Sequence, residues 1–343
     1  MTEKMESKMK NFDNTKKLVT SSLLVALMVI FSLLGTLPFF STISLAVAPM
    51  IVALIYHKGG KVNAVIAFVV TLILTSVLIN PIYGITMTLL NYSMGAGLIF
   101  MIEKNISPLI NFIVLTLAVA AGFVIMVVVD IKLISNLSIM EYIGVIVEQM
   151  KAYADELLKT SESMGLESSG NASIEALKAM DVRTMVNMIP SMLALYSLSA
   201  ATFIYKISHV VFKRMGIAIK PFPRLSEIKT IMFVVMGTLL LTMGGIGLVY
   251  IGVEIGEGIM LMGNNLFTIA GTVGGISLIS YYMEHKMKYP TVFRILILFF
   301  VLSSSLVSVI AIVGIIDSAF DFRKLTENGL YTILKSKTNN TKQ

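Results

Sequence analysis

Residues 18–56 read LVTSSLLVALMVIFSLLGTLPFFSTISLAVAPMIVALIY, without one Asp, Glu, Lys or Arg. A second stretch with the same property runs from Val62 to Ile102. About 20 apolar residues cross a bilayer as a helix, so each stretch holds a pair of spanning helices. The charges are bunched in the gaps between such stretches. The pattern is that of an all-α polytopic transmembrane bundle, and the whole composition agrees. Hydrophobic residues make up 56% of the chain and charged residues 14%, with mean hydropathy +0.86; a soluble domain carries about 25% charged residues.

Nine spans are expected: 18–37, 43–56, 62–79, 82–102, 108–129, 189–205, 230–251, 259–283 and 295–316. They divide the chain into an N-terminal segment (1–17), a first five-helix block (18–129), an insertion (130–188), a second four-helix block (189–316) and a polar tail (317–343). Lys16 and Lys17 before an apolar run, with Ala46-Val47-Ala48 beyond it, imitate a signal peptide. The run is much longer than a usual signal core and Pro49 follows the candidate site, so an uncleaved first helix is expected.

Orientation follows from Lys and Arg. With the N-terminus in the cytoplasm, the inner segments carry 17 of the 27 basic residues, and the short outer connections at 38–42, 80–81 and 252–258 carry none. The tail breaks the pattern. Nine spans leave Arg323, Lys324, Lys335, Lys337 and Lys342 outside, whereas eight spans put them inside; both counts stay open. The net charge of +7 belongs to these loops and is not read as a nucleic-acid surface. The partner expected for every span is the lipid bilayer.

The insertion holds nine acidic and five basic residues. Ile143, Val147, Met150, Ala154 and Leu157 recur at helical spacing, opposite Glu148, Lys151, Asp155 and Lys159, which defines an amphipathic helix. Residues 174–188 continue as a second helix into the next span. The expected result is an outer helical hairpin, serving either as a cap or as a gate or docking element.

Catalysis finds little support. There is no cysteine, only His57, His209 and His285 are available, and no nucleotide loop, metal motif or cofactor motif is present. Asp317 and Asp321 share a helix end without an intramembrane protease signature. The chain is not expected to be an enzyme. Gly252-x-x-x-Gly256, Gly271-x-x-x-Gly275 and Ser22-x-x-x-Ala26 permit close helix approach, within the chain or with another protein. Polar side chains inside spans either bond a neighbouring helix or contact a solute; Asn91, Asn264 and Asn265 are such groups. Asn80 and Asn91, near the outer surface, are the candidate solute contacts. Asp317, Asp321 and Arg323 are a candidate latch or docking motif at the end of the last span.

The run Gly314-Ile315-Ile316-Asp317-Ser318-Ala319-Phe320-Asp321-Phe322-Arg323-Lys324-Leu325 resembles the closing motif of the YybS-like family of bacterial integral membrane proteins. Ala48-Pro49, Ile189-Pro190, Phe212-Lys213-Arg214-Met215-Gly216 and Tyr281-Tyr282 agree with it. Ser226-Glu227-Ile228-Lys229 departs from it where relatives often carry a Trp and a Pro. The resemblance implies a bacterial cytoplasmic membrane. It also implies a distant similarity to the substrate-binding S-components of energy-coupling-factor vitamin transporters, which have six helices with both ends in the cytoplasm. The first six spans, 18–205, match that count. The implied function is binding or movement of a small-molecule solute, with a separate energising partner. The competing reading is a non-transporting membrane scaffold or assembly factor.

Overall fold

The computed structural model describes residues 2–104, 106–132, 137–163, 171–230, 232–304 and 306–323. Among them the chain is helical without a strand: α1 (Thr2–Leu34), α2 (Pro38–Leu78), α3 (Pro81–Lys104), α4 (Pro108–Asp130), α5 (Ile139–Ser163), α6 (Asn171–Lys178), α7 (Val182–Arg214), α8 (Met232–Tyr250), α9 (Ile255–His285), α10 (Thr291–Leu302) and α11 (Val307–Phe320). Prolines open α2, α3 and α4, where a missing N–H costs nothing. Ser107 and Asn80 supply side-chain acceptors at the starts of α4 and α3. Seven helices are long and apolar enough to cross a membrane, and an eighth crossing is added if α10 and α11 are counted together.

Two compact units divide the chain: residues 1–180 with 193–222, and residues 181–192 with 223–343. Of the expected sixth span, residues 193–205 fall in the first unit and 189–192 in the second.

In the first unit α2 has 41 residues, about 60 Å at 1.5 Å per residue, twice the hydrocarbon thickness. It is interrupted at Gly60, whose φ of 83° and ψ of 179° are non-helical and need a residue without Cβ. The contacts on either side of Gly60 run in opposite directions. Ser44 donates to the Phe31 carbonyl, and Gly59 lies against Ser21, so 38–59 is antiparallel to α1. Met28 meets Thr71, Tyr83 donates to the Ser32 carbonyl, and Ser21 and Val70 line one groove, so 61–78 runs parallel to α1. The helix is thus two membrane-length legs, as the second and third expected spans require. With α1, α3, α4 and the body of α7 they make six legs. Met50, Leu54, Met94, Leu98, Leu115 and Ile204 form the shared core, while Leu23, Val69 and Val77 face outward as lipid contacts. Association in lipid relies on close packing and interhelical hydrogen bonds; Ser93 donates to the Ala118 carbonyl at 2.7 Å and the Thr75 and Thr88 hydroxyls meet at 3.3 Å.

The insertion forms the expected amphipathic α5, with Ile143, Val147 and Ala154 buried. A capping box, Ser138 with Glu141, opens it. The Ser138 N–H holds the Glu141 carboxyl below its usual range. Tyr142 donates to Asp130 at 2.5 Å, and that bond pushes the phenol up to about 12. The second limb departs from expectation. It is not continuous from 174 to 188, because α6 stops at Lys178 and α7 begins at Val182. Asp181 causes the break: its carboxylate accepts the Thr184 N–H at 2.8 Å and caps α7. Lys178 pairs with Asp155 of α5 at 2.5 Å.

In the second unit α8 and α9 are antiparallel, with Gly245 against Met260 and Gly263 against Thr242. The expected span 295–316 is broken. It is two short helices, α10 and α11, bent by 113°. At 12 and 14 residues, neither reaches across ~30 Å. Ser303 and Ser304 occupy the break, and Ser304 donates to the Val301 carbonyl. Both ends of the pair lie at one end of the unit. Arg294, in the first turn of α10, donates to Glu284, which accepts from Ser226; beyond α11, Arg323 donates to the Ser226 carbonyl. The pair goes in and returns, so α11 ends beside the basic segments 224–229 and 286–294. The eight-span alternative puts Arg323 at this end; the other tail cations, from Lys324 on, lie outside the described residues.

Candidate functional site

Two arrangements concentrate polar chemistry, one in each unit.

In the first unit a cavity of about 250 Å³ lies at the end away from Lys58, Lys61 and Lys104. Its wall comes from five helices: the end of α1 (Gly35), the start of α2 (Ser41, Thr42, Ser44, Leu45), α3 (Tyr83, Met87, Leu90, Asn91), α4 (Phe123, Met126) and α7 (Tyr196). Ser41 and Ser44 spend their hydroxyl hydrogens on the Pro38 and Phe31 carbonyls, both at 2.8 Å. Pro49 has no N–H for the Leu45 carbonyl one turn back. Phe123 and Tyr196 stand 5.1 Å apart at 48°. Asn91 is 6% exposed, lines the cavity, and its side chain makes no hydrogen bond among the described residues. It could donate twice and accept twice.

The two solute candidates therefore separate. Asn91 is in the cavity wall. Asn80 is not; its carboxamide oxygen accepts the Tyr83 N–H at 2.7 Å and caps α3. Asn265 bonds Ser191 at 3.2 Å, the interhelical alternative, and Asn264 is exposed. Sequence reading missed the Ser41, Thr42 and Ser44 cluster as a wall, although three hydroxyls within four residues of an apolar run were a visible signal. It also missed Asn111, fully buried near the start of α4 with both amide atoms unpartnered among the described residues.

A smaller groove of about 180 Å³ separates α1 from residues 63–74 of α2. Ser22 and Ala26 line it, so that small-residue pattern faces the chain's own helix. Gly271 and Gly275 likewise pack against Ile310, Ala311 and Gly314 of α11. Gly256 packs on Leu248 and Val249, while Gly252 lies in the turn before it with φ of 78°.

In the second unit the closing motif folds onto the segment before α8. α11 ends at Phe320 because Asp321 turns left-handed, φ 53° and ψ 58°, a conformation Asp tolerates better than most residues. Its N–H bonds the Asp317 carbonyl, and the Phe322 N–H reaches the Asp317 carboxylate at 3.1 Å. The turn sends Arg323 back inward, 3% exposed beside Asp317 at 1%. All five guanidinium N–H groups are used. Nε and Nη2 donate to Asp317 Oδ2 at 3.0 and 2.8 Å. Nη1 donates to the Ser226 carbonyl and Ser277 Oγ, and Nη2 to the Ile228 carbonyl. Asp321 pairs with Lys229 at 3.1 Å. The structure thus brings Asp317, Asp321 and Arg323 together. Lys324, read as following Asp321 on the helix, lies outside the described residues. Phe320 and Phe322 are half-exposed with parallel rings.

Among the described residues no three His, Asp or Glu side chains come together as a metal site. The second arrangement satisfies its own charges internally and leaves nothing to offer a ligand. The first leaves an amide unsatisfied in a cavity.

No curated protein and no solved structure matches the chain. The family described as "Predicted membrane protein (DUF2232)" matches residues 25–318, which covers both units and the cavity. The chain belongs to this family of predicted membrane proteins.

Proposed function

We propose that the protein binds a small solute in the cavity of its first unit and presents it to, or moves it across, the bacterial cytoplasmic membrane. One observation carries the reading: Asn91, 6% exposed and with no side-chain hydrogen bond among the described residues, lines a partly open cavity of about 250 Å³. Its amide opens on the cavity, and a ligand that bonds it there gains hydrogen bonds in low-dielectric surroundings. The charge pattern supports an outer-half location for this cavity. A unit of six legs, five of which line the cavity, supports likeness to the S-components of energy-coupling-factor transporters, and with it the YybS-like assignment. On this reading the protein is not an enzyme. It has no nucleotide motif, so uphill movement needs a separate energising protein at the cytoplasmic end, where Lys58, Lys61, Lys104 and Lys206 lie.

The test uses the absence of native cysteine. Asn91→Cys is expected to react with a small neutral maleimide added from outside, and a cell extract containing the solute is expected to slow the reaction. A thiol that stays unreactive in folded protein and reacts only on unfolding would remove the cavity from consideration. The scaffold reading is favoured by a different observation: Val145 and Tyr153 are exposed on α5, away from its buried stripe. A stable complex lost on Tyr153→Ser and Val145→Ser, with Asn91→Cys inert, would select it.

A further inference from the structure

Resting on the cavity reading, we infer that the solute is an uncharged flat ring carrying an amide-type edge, an N–H donor next to a carbonyl acceptor. Three features of the wall lead there.

The first is charge. No lining residue is an acid or a base. Lys58, Lys61, Lys104 and Lys206 lie at the other end of the unit, and the insertion's Lys132, Lys151, Lys159 and Lys178 are not among the lining residues. The nearest carboxylate along α4, Asp130, is one turn beyond Met126 and already accepts from Tyr142 at 2.5 Å. An ionised solute would enter an apolar space with no counter-charge, which low-dielectric surroundings penalise heavily.

The second is shape. Phe123 and Tyr196 present ring surfaces, and the thioethers of Met87 and Met126 add soft contacts that suit aromatic rings. A volume of about 250 Å³ lies just under the ~300–1,000 Å³ of drug-sized pockets, which suits one or two rings.

The third is the hydrogen-bond code. Asn91 offers a carbonyl and an NH₂ side by side. An amide pairs in two parallel hydrogen bonds with a partner that alternates donor and acceptor, as Asn does with a base edge. Ser41 and Ser44 have already donated, so they offer lone pairs only, which favours a ligand with further N–H groups.

The experiment measures binding to the purified full chain in nanodiscs. The probes are matched neutral and anionic rings: uracil against orotate, and nicotinamide against nicotinate. A neutral probe is expected to bind at least tenfold more tightly than its carboxylate partner. Asn91→Leu is expected to lower neutral-probe affinity at least tenfold. Thr42→Val, a near-isosteric change, is expected to lower it two- to fivefold and guards against misfolding of the first variant. Equal or tighter binding of the carboxylates overturns the inference, as does no binding of either neutral probe at millimolar concentration. Unchanged affinity in both variants overturns it too. Maleimide access to Asn91→Cys needs no ligand, so it separates failure of the ligand class from failure of the cavity.

Discussion

Replacing Arg323 with Met removes five hydrogen-bond donors and one buried charge while keeping an unbranched stem. Asp317, 1% exposed, is left as an uncompensated carboxylate, and the Ser226 and Ile228 carbonyls each lose a donor. Breaking a buried pair by removing one partner costs ~3–5 kcal/mol; stranding a carbonyl costs ~1–3 kcal/mol, and the two overlap because one side chain serves both. A loss of ~3–5 kcal/mol in holding the end of α11 is expected. Membrane proteins rarely unfold reversibly, so the readouts are the half-life of monodisperse protein at fixed temperature in detergent and the rate of maleimide labelling of Phe322→Cys as a local probe. Arg323→Lys is expected to recover little, since three donors on a point charge cannot replace a five-donor fork. Asp317→Asn combined with Arg323→Met removes the stranded charge and is expected to be more stable than Arg323→Met alone. Wild-type half-life and labelling in Arg323→Met would refute the reasoning. A double variant no better than the single one would refute its electrostatic part.

Arg323 bonds the Ser226 carbonyl within the basic segment 224–229, so Asn328→Cys is expected to resist impermeant maleimide in intact cells and react after lysis; labelling in intact cells would favour nine crossings. Tyr153→Cys, at an exposed position of α5, is expected to react in intact cells. A methyl on Gly314 would run into the Gly271 carbonyl and the Gly275 amide, backbone atoms that cannot rotate away, so Gly314→Ala is expected to shorten the thermal half-life severalfold, whereas Gly244→Ala, with open space around it, is expected to be neutral. Lys178 holds the Asp155 carboxyl below its usual range. The pairing is therefore fully present above the ordinary Asp pKa and is lost as pH falls through the lowered value, so protease cleavage between α5 and α6 is expected to rise only in that acid window and to lose its pH dependence in Asp155→Asn.

Most of the helical architecture was legible because lipid enforces it. Backbone groups in hydrocarbon must bond internally, so charge-free runs such as 18–56 and 62–102 admit little besides paired helices. The break at Gly60 falls between Lys58 and Lys61, where the sequence already turned. What failed to show was any feature set by a distant contact. Residues 295–316 are apolar enough to cross, and nothing local announces the bend; it is the Arg294–Glu284 and Arg323–Ser226 bonds, spanning 10 and 97 residues, that hold both ends together. Asn80 and Asn91 look alike in a string, yet one sits one residue before Pro81 and caps a helix while the other sits mid-helix. Capping was readable from Asn-Pro at a helix start. That Asn91 would be unpartnered was not, since it depends on which helix packs opposite.

The contrast between the two polar arrangements separates structure from function in this chain. Arg323 and Asp317 look like the more chemical pair, being charged, buried and clustered. Every guanidinium donor is already taken by the chain's own acceptors, so a ligand could bind there only by displacing bonds the fold needs. Asn91 carries no charge, its side chain makes no bond among the described residues and it lines the cavity, so it can gain hydrogen bonds from a visitor. An unpartnered side chain facing a cavity argues for a binding site more strongly than a fully bonded ion pair does. The latch is then structural, securing the returning end of α11 against the loop before α8, where the tail begins.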